Sequence, residues 1–167
     1  MILAIDVHYK ETTAKAVGAL IQHWEDAVAQ QYIIRYIDEV SAYVPGAFYK
    51  RELPCILEIC AAIDLYSLSY IIIDGFVVLD DSGKPGLGAY VYESIQQQVP
   101  VIGVAKTNFH QNTQRVIPVL RGSSANPLYV TAVGTDLQQA AEHIKNMHGE
   151  FRLPTVLKEM DRITKEP

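Results

Sequence analysis

Residues 70–75 read Tyr70-Ile71-Ile72-Ile73-Asp74-Gly75, an unbroken apolar run that stops on a carboxylate and a glycine. A strand with one wet face alternates polar and apolar residues, whereas a run without alternation fits a parallel strand packed on both faces. A second such run, Pro100-Val101-Ile102-Gly103-Val104-Ala105, ends on Lys106. Residues 87–97 between them have helical character. Upstream, apolar residues recur near helical spacing from Phe48 through Leu53, Ile56, Leu57, Ile59, Cys60 and Ile63. Pro54 is expected early in that helix, where a missing N–H costs little.

Further out, residues 2–7, 14–23 and 27–37 are strand-like, and the turns between them are too short for crossover helices. They predict a three-stranded antiparallel meander, with the 70–73 and 101–105 runs as parallel strands beside strand one. After Lys106, residues 115–120 and 128–133 fit a late hairpin, and 136–147 and 154–163 have helical periodicity. The expected fold is α/β: a mixed central sheet, antiparallel over its first three strands and parallel later, with helices on both faces. No repeat, linker or low-complexity segment interrupts the 167 residues, which predict a single domain over 1–167.

Apolar residues form 49% of the chain and charged residues 20%, which excludes disordered and fibrous classes. A formal charge of −5 means that long-range attraction alone does not recruit nucleic acid or an anionic membrane. Any nucleic-acid role needs local positive charge. Cys55 and Cys60 stand at i and i+5 of the expected helix, unsuited to a disulfide, and read as reduced core residues. With no membrane-length apolar run and no leader pattern, the expected setting is cytoplasmic, without a membrane partner.

Asp6, inside the first strand, and Asp74, at the end of the 70–73 run, are expensive places for an unpaired charge. On adjacent strands the two meet, and a divalent cation there stabilises both. Turn capping by Asp74 and partial exposure of Asp6 are the alternative reading. Glu52, within Lys50-Arg51-Glu52, is either a third ligand or part of a solvated helix start. Lys106 stands at the edge where open sheets collect active sites, and a cation there offsets phosphate or oxyanion charge; an ordinary strand-end lysine also fits. Tyr43-Val44-Pro45-Gly46 is a stiff turn whose tyrosine either stacks on a base or closes the helix entrance. Residues 83–88, Gly-Lys-Pro-Gly-Leu-Gly, match neither phosphate-loop spacing. The five histidines show no paired metal spacing; His8 is nearest the expected site, and His143 and His148 belong to a helix and its end.

These segments together resemble the endonuclease V family of deoxyinosine 3′ endonucleases. The likeness runs through Ala4-Ile5-Asp6-Val7, Tyr43-Val44-Pro45-Gly46 with Phe48, Arg51-Glu52-Leu53-Pro54, residues 70–75 and Val101 to Lys106. It continues in order through Asn126 to Val130, Gly134 and Phe151-Arg152-Leu153-Pro154 with Asp161. The resemblance implies a ribonuclease H-like fold. It makes Asp6, Glu52 and Asp74 magnesium-binding carboxylates, with manganese as a substitute, and Lys106 a catalytic lysine near the scissile phosphate. It assigns Tyr43, Val44, Pro45 and Gly46 to a strand-separating wedge and puts Gly75 and Lys84 on the nucleic-acid-binding side. The implied partner is DNA or RNA, cut at the second phosphodiester 3′ to a deaminated base such as inosine. The alternative is a noncatalytic nucleic-acid-binding or scaffold domain on the same fold. The chain departs from the pattern in residues 76–88, which lack the family's histidines and run about three residues longer, and at Gly134-Thr135, where a Gly-His pair is usual.

Overall fold

The computed structural model describes residues 1–38, 40, 42, 45, 47, 49–109 and 111–167. The meander is strands β1 (Ile2–Lys10), β2 (Thr13–Ile21) and β3 (Gln31–Ile37). Helix α1 (Tyr49–Cys60) leads to β4 (Tyr70–Asp74), and α2 (Leu87–Ser94) leads to β5 (Val101–Ala105). Strands β6 (Ile117–Val119) and β7 (Leu128–Val133) form the late hairpin, and α3 (Leu137–Lys145) and α4 (Thr155–Lys165) close the chain. The seven described strands make one sheet, ordered β3-β2-β1-β4-β5-β7-β6.

Alternation along β1 divides the core. Ile2 and Ala4 face α3 and α4, whose Ala140, Ala141, Ile144, Val156, Leu157 and Met160 pack against them. Leu3 and Ile5 face α1 and α2, against Cys55, Ile56, Ile59 and Val91. Strand β4 is buried on both sides, with Ile71 and Ile73 in the second cluster and Ile72 in the first. The unbroken apolar run therefore has the two-sided packing it predicts. Both cysteines are free and buried in α1. Among the described residues no helix is long and apolar enough to cross a membrane.

The structure differs from expectation in three places. Strand β5 lies beside β4, one place further from β1 than expected. The hairpin rejoins antiparallel, with β7 against β5, so the parallel pairs are confined to β1 with β4 and β4 with β5. Pro54 falls in the body of α1, since helical backbone already begins at Tyr49. Its exposed side of the helix leaves the unmatched carbonyl one turn earlier facing solvent.

Candidate active site at the carboxyl edge of the parallel strands

The shared direction of β1, β4 and β5 brings their C-terminal ends to one edge of the sheet. Asp6 follows Ile5, whose register partner is Ile73, so Asp6 and Asp74 stand side by side on the α4 face. Lys106 follows the last residue of β5, next in the row. Helix α4 lays Asp161 across them. A small cleft of about 40 Å³ is lined by Asp6, Asp74, Lys106 and Asp161 among apolar neighbours.

Glu52 comes from the opposite face. Helix α1 packs on the other core cluster, and its first turn carries Glu52 over the sheet edge. The Arg51 guanidinium sits 3.9 Å from the centre of the Tyr9 ring, which holds that turn against β1. Burial raises the Tyr9 phenol, and the neighbouring Glu52 charge adds to the effect.

The electrostatics are those of an undercompensated acidic cluster. Burial, then the Asp74 charge, pushes Asp6 up to about 7, although its Oδ1 accepts a hydrogen bond from the Val7 N–H at 2.9 Å. Asp161 adds to the rise. Glu52 is pushed up to about 7 by burial, then by Asp74 and Asp6, with Arg51 opposing. Asp74 keeps solvent contact at the rim, yet desolvation by the protein around it still raises its carboxyl. Lys106 and Lys165 pull it back. Each carboxylate makes the others more costly to ionise.

Four oxygen-donor carboxylates with this surplus of negative charge fit a hard divalent cation in ligand type and in charge. Their positions are looser than a coordination shell: among the described residues no three His, Cys, Asp or Glu side chains converge as a ready metal cluster. The Lys165 ammonium pairs with Asp161 at 3.0 Å instead.

Other expected residues divide by position. Gly75 and Lys84 meet in a cavity of about 270 Å³ that adjoins the carboxylates through Glu52 and Asp74. One wall is Tyr49 stacked on Tyr90, 3.7 Å between ring centres and 12° apart. The histidine-free stretch folds back as a stapled loop. The Asp81 carboxylate accepts the Thr113 and Gln114 N–H groups, both at 2.8 Å, and the Thr113 hydroxyl at 2.7 Å. Those bonds hold Asp81 below the usual carboxylate range. Of the expected wedge, Pro45 is an exposed turn residue, while Tyr43, Val44 and Gly46 lie outside the described residues.

Among the described residues no histidine lines the carboxylate cleft. His8 is exposed. His143 stacks on Trp24, with Tyr70 at its edge, at the opposite end of β4 from Asp74. His148 pairs with the Thr155 hydroxyl at 3.0 Å. Asp161 and Lys165 were not singled out as site residues in the sequence, although Asp161 is one helical turn beyond Leu157 on the buried side of α4.

Known proteins share this architecture. A family model described as Endonuclease V matches residues 1–162. Endonuclease V from Ciona intestinalis, in complex with a 24mer DNA containing an inosine followed by a ribo-adenosine, is similar at a TM-score of 0.81 and 15% identity. The match covers 98% of this chain and 83% of that one. Human ENDOV gives a TM-score of 0.72 at 21% identity, over 98% and 82% of the two chains. The Streptomyces avermitilis Endonuclease V gives 0.71 at 23% identity, over 98% and 79%. These likenesses carry the ribonuclease H-like fold. No curated protein matches the chain in sequence.

Proposed function

The chain belongs to the endonuclease V family over residues 1–162, and from that premise we propose that it is a divalent-cation-dependent endonuclease that hydrolyses a phosphodiester near a deaminated base. Nuclease chemistry on nucleic acid is what the family performs. The cation, the base and the cut position are the finer parts of the proposal. The observation that carries it is the gathering of Asp6, Glu52 and Asp74, all held above their usual range, at the strand edge where Lys106 also ends.

In this reading Asp6, Asp74 and Glu52 hold magnesium, or manganese in its place, with Asp161 beside them. The cation supplies positive charge to the phosphodiester and makes water a stronger nucleophile. Lys106 offsets charge on the phosphate or the leaving oxygen. Burial of Asp6 keeps water from screening its charge, so the cleft discriminates strongly between occupied and empty states. Tyr43 to Gly46 part the strands, and the altered base enters the cavity bordered by Gly75 and Lys84. The products carry 3′-hydroxyl and 5′-phosphate ends, with the cut at the second phosphodiester 3′ to the base.

Cleavage of matched DNA and RNA strands containing inosine, uracil, an abasic site or no lesion, with magnesium or with EDTA, tests the proposal. The expected result is magnesium-dependent cutting, strongest on an inosine strand, at one fixed position. Binding of every strand without cutting under any divalent metal favours the second reading, a noncatalytic nucleic-acid-binding domain. One observation speaks for that reading. The Lys165 ammonium, paired with Asp161, places a resident positive charge that acts on Asp74.

A further inference from the structure

We propose that the groove running from Lys106 past Phe151 and Lys158 is a track for the single strand flanking the scissile phosphate, in which Phe151 stacks on one base and the cations neutralise phosphates. The inference rests on the nuclease reading for its orientation and adds to it a binding surface outside the carboxylate cleft. The groove encloses about 470 Å³ and shares Lys106 and Asp161 with that cleft. A strand with its phosphate at Lys106 therefore has a continuous path into it.

The aromatic group is both exposed and held still. Phe151 is 67% exposed, which leaves a face of its ring open to stack on a base. Its backbone is clamped from beneath by Arg121, which is only 3% exposed. Arg121 donates hydrogen bonds to the carbonyls of Phe151 at 2.5 Å, Met147 at 2.5 Å and Gly149 at 3.1 Å. Gly122 lets the two loops close, since a side-chain carbon there would stand 1.7 Å from the Glu150 carbonyl oxygen. Arg152 ties the same loop to the active edge, donating to the Pro127 carbonyl at 2.7 Å and to the Lys106 carbonyl at 2.5 Å. A ring fixed in this way loses little freedom when it stacks on a base.

The charge is complementary. Lys158 sits 5.1 Å from the centre of the Phe151 ring. Arg121 and Arg152 spend their hydrogen bonds on neutral carbonyls. Among the described residues the ion pairs are Arg162–Glu159, Arg162–Glu166 and Lys165–Asp161, and none uses Lys106, Arg121, Arg152 or Lys158. Three cations lining one groove, Lys106, Arg152 and Lys158, with Arg121 buried beneath it, give an acidic chain the local positive field that nucleic acid requires. Glu150 and Asp161 also line the groove, so phosphates belong on its Lys106 and Lys158 side.

Fluorescence anisotropy of the full chain with labelled 12-nucleotide deoxy and ribo strands in EDTA separates binding from cutting. Phe151→Ala should weaken binding roughly 10-fold and Phe151→Trp should restore it, because any flat ring stacks. Lys158→Ala should weaken binding roughly 3-fold and lower the slope of log affinity against log salt by about 0.7. Both side chains are exposed, so thermal melts of the variants should match the wild type. On an inosine strand under magnesium, KM should rise with kcat nearly unchanged. Wild-type binding with both variants equal to it overturns the track, whether or not the protein cuts. Failure of the wild type to bind either strand overturns it as well. Weakened binding by the variants of a protein that never cuts upholds the track and removes the nuclease reading alone.

Discussion

Ile5 of β1 and Ile73 of β4 are register partners in a parallel pair, so the chain steps from each of them directly onto a carboxylate, Asp6 and Asp74, at the same edge. Two negative groups on neighbouring strands, beside the side chain of Glu52, are an energetic liability. Their consequences are measurable before any substrate is added.

In metal-free protein, stability should fall as pH rises from about 4 to 7. Asp6 and Glu52 have folded values of about 7 against ordinary values of 3.8 and 4.5, so the folded state binds the extra protons. With the raised folded pKa, the contribution is fully present below about pH 4, is lost as pH climbs toward 7, and is gone above it. Thermal melts in EDTA should show a fall in Tm of roughly 5 °C across that window. Magnesium should recover the loss at pH 8 by binding the folded state. A flat or rising Tm in EDTA contradicts the burial and repulsion assigned to these carboxyls.

Asp74→Asn should reduce cleavage by at least about 100-fold while leaving the fold intact. Asn is nearly isosteric with Asp and the side chain keeps solvent contact, so the change opens no cavity. Removing its charge also removes the second-largest cause that raises Asp6. The variant should therefore show a smaller pH dependence of Tm in EDTA, a readout independent of catalysis. Circular dichroism and melts on the same preparation check both parts.

Lys106→Ala should slow the cleavage step roughly 100-fold under single-turnover conditions, with cation affinity changed much less. Lys106 lowers the Asp74 carboxyl, so the variant should need a higher pH to reach half-maximal cation binding. A variant that cuts at the wild-type rate removes Lys106 from the chemistry.

Gly103→Ala should destabilise the protein by about 1–3 kcal/mol, the usual cost of overpacking. Its new carbon would stand 2.5 Å from the Gly75 carbonyl oxygen and 2.7 Å from the Thr131 hydroxyl. That hydroxyl accepts the Val77 N–H at 2.8 Å and anchors the chain just past Asp74. Urea denaturation gives the stability, and the slope of the transition shows whether the fold stays cooperative.

Local patterns decided much of this molecule in advance. The unbroken run at 70–73 could bury itself only with apolar material on both faces, and the alternation of β1 assigns Ile2 and Ala4 to one core and Leu3 and Ile5 to the other. Short turns exclude crossovers between the first three strands, which settles the meander. The order of motifs, through its resemblance to endonuclease V, then points to Asp6 within the first strand, Asp74 and Lys106 at strand ends and Glu52 at a helix start. None of those signals carries information about partners far along the chain. The antiparallel return of β7 to β5, the approach of Asp161 and Lys165 on α4 to carboxylates near the start and middle of the chain, and the Arg152 bond to the Lys106 carbonyl depend on contacts between distant segments. Periodicity records which face of an element is buried. Only packing of the whole chain decides what that face meets, and hence which isolated charges become one site.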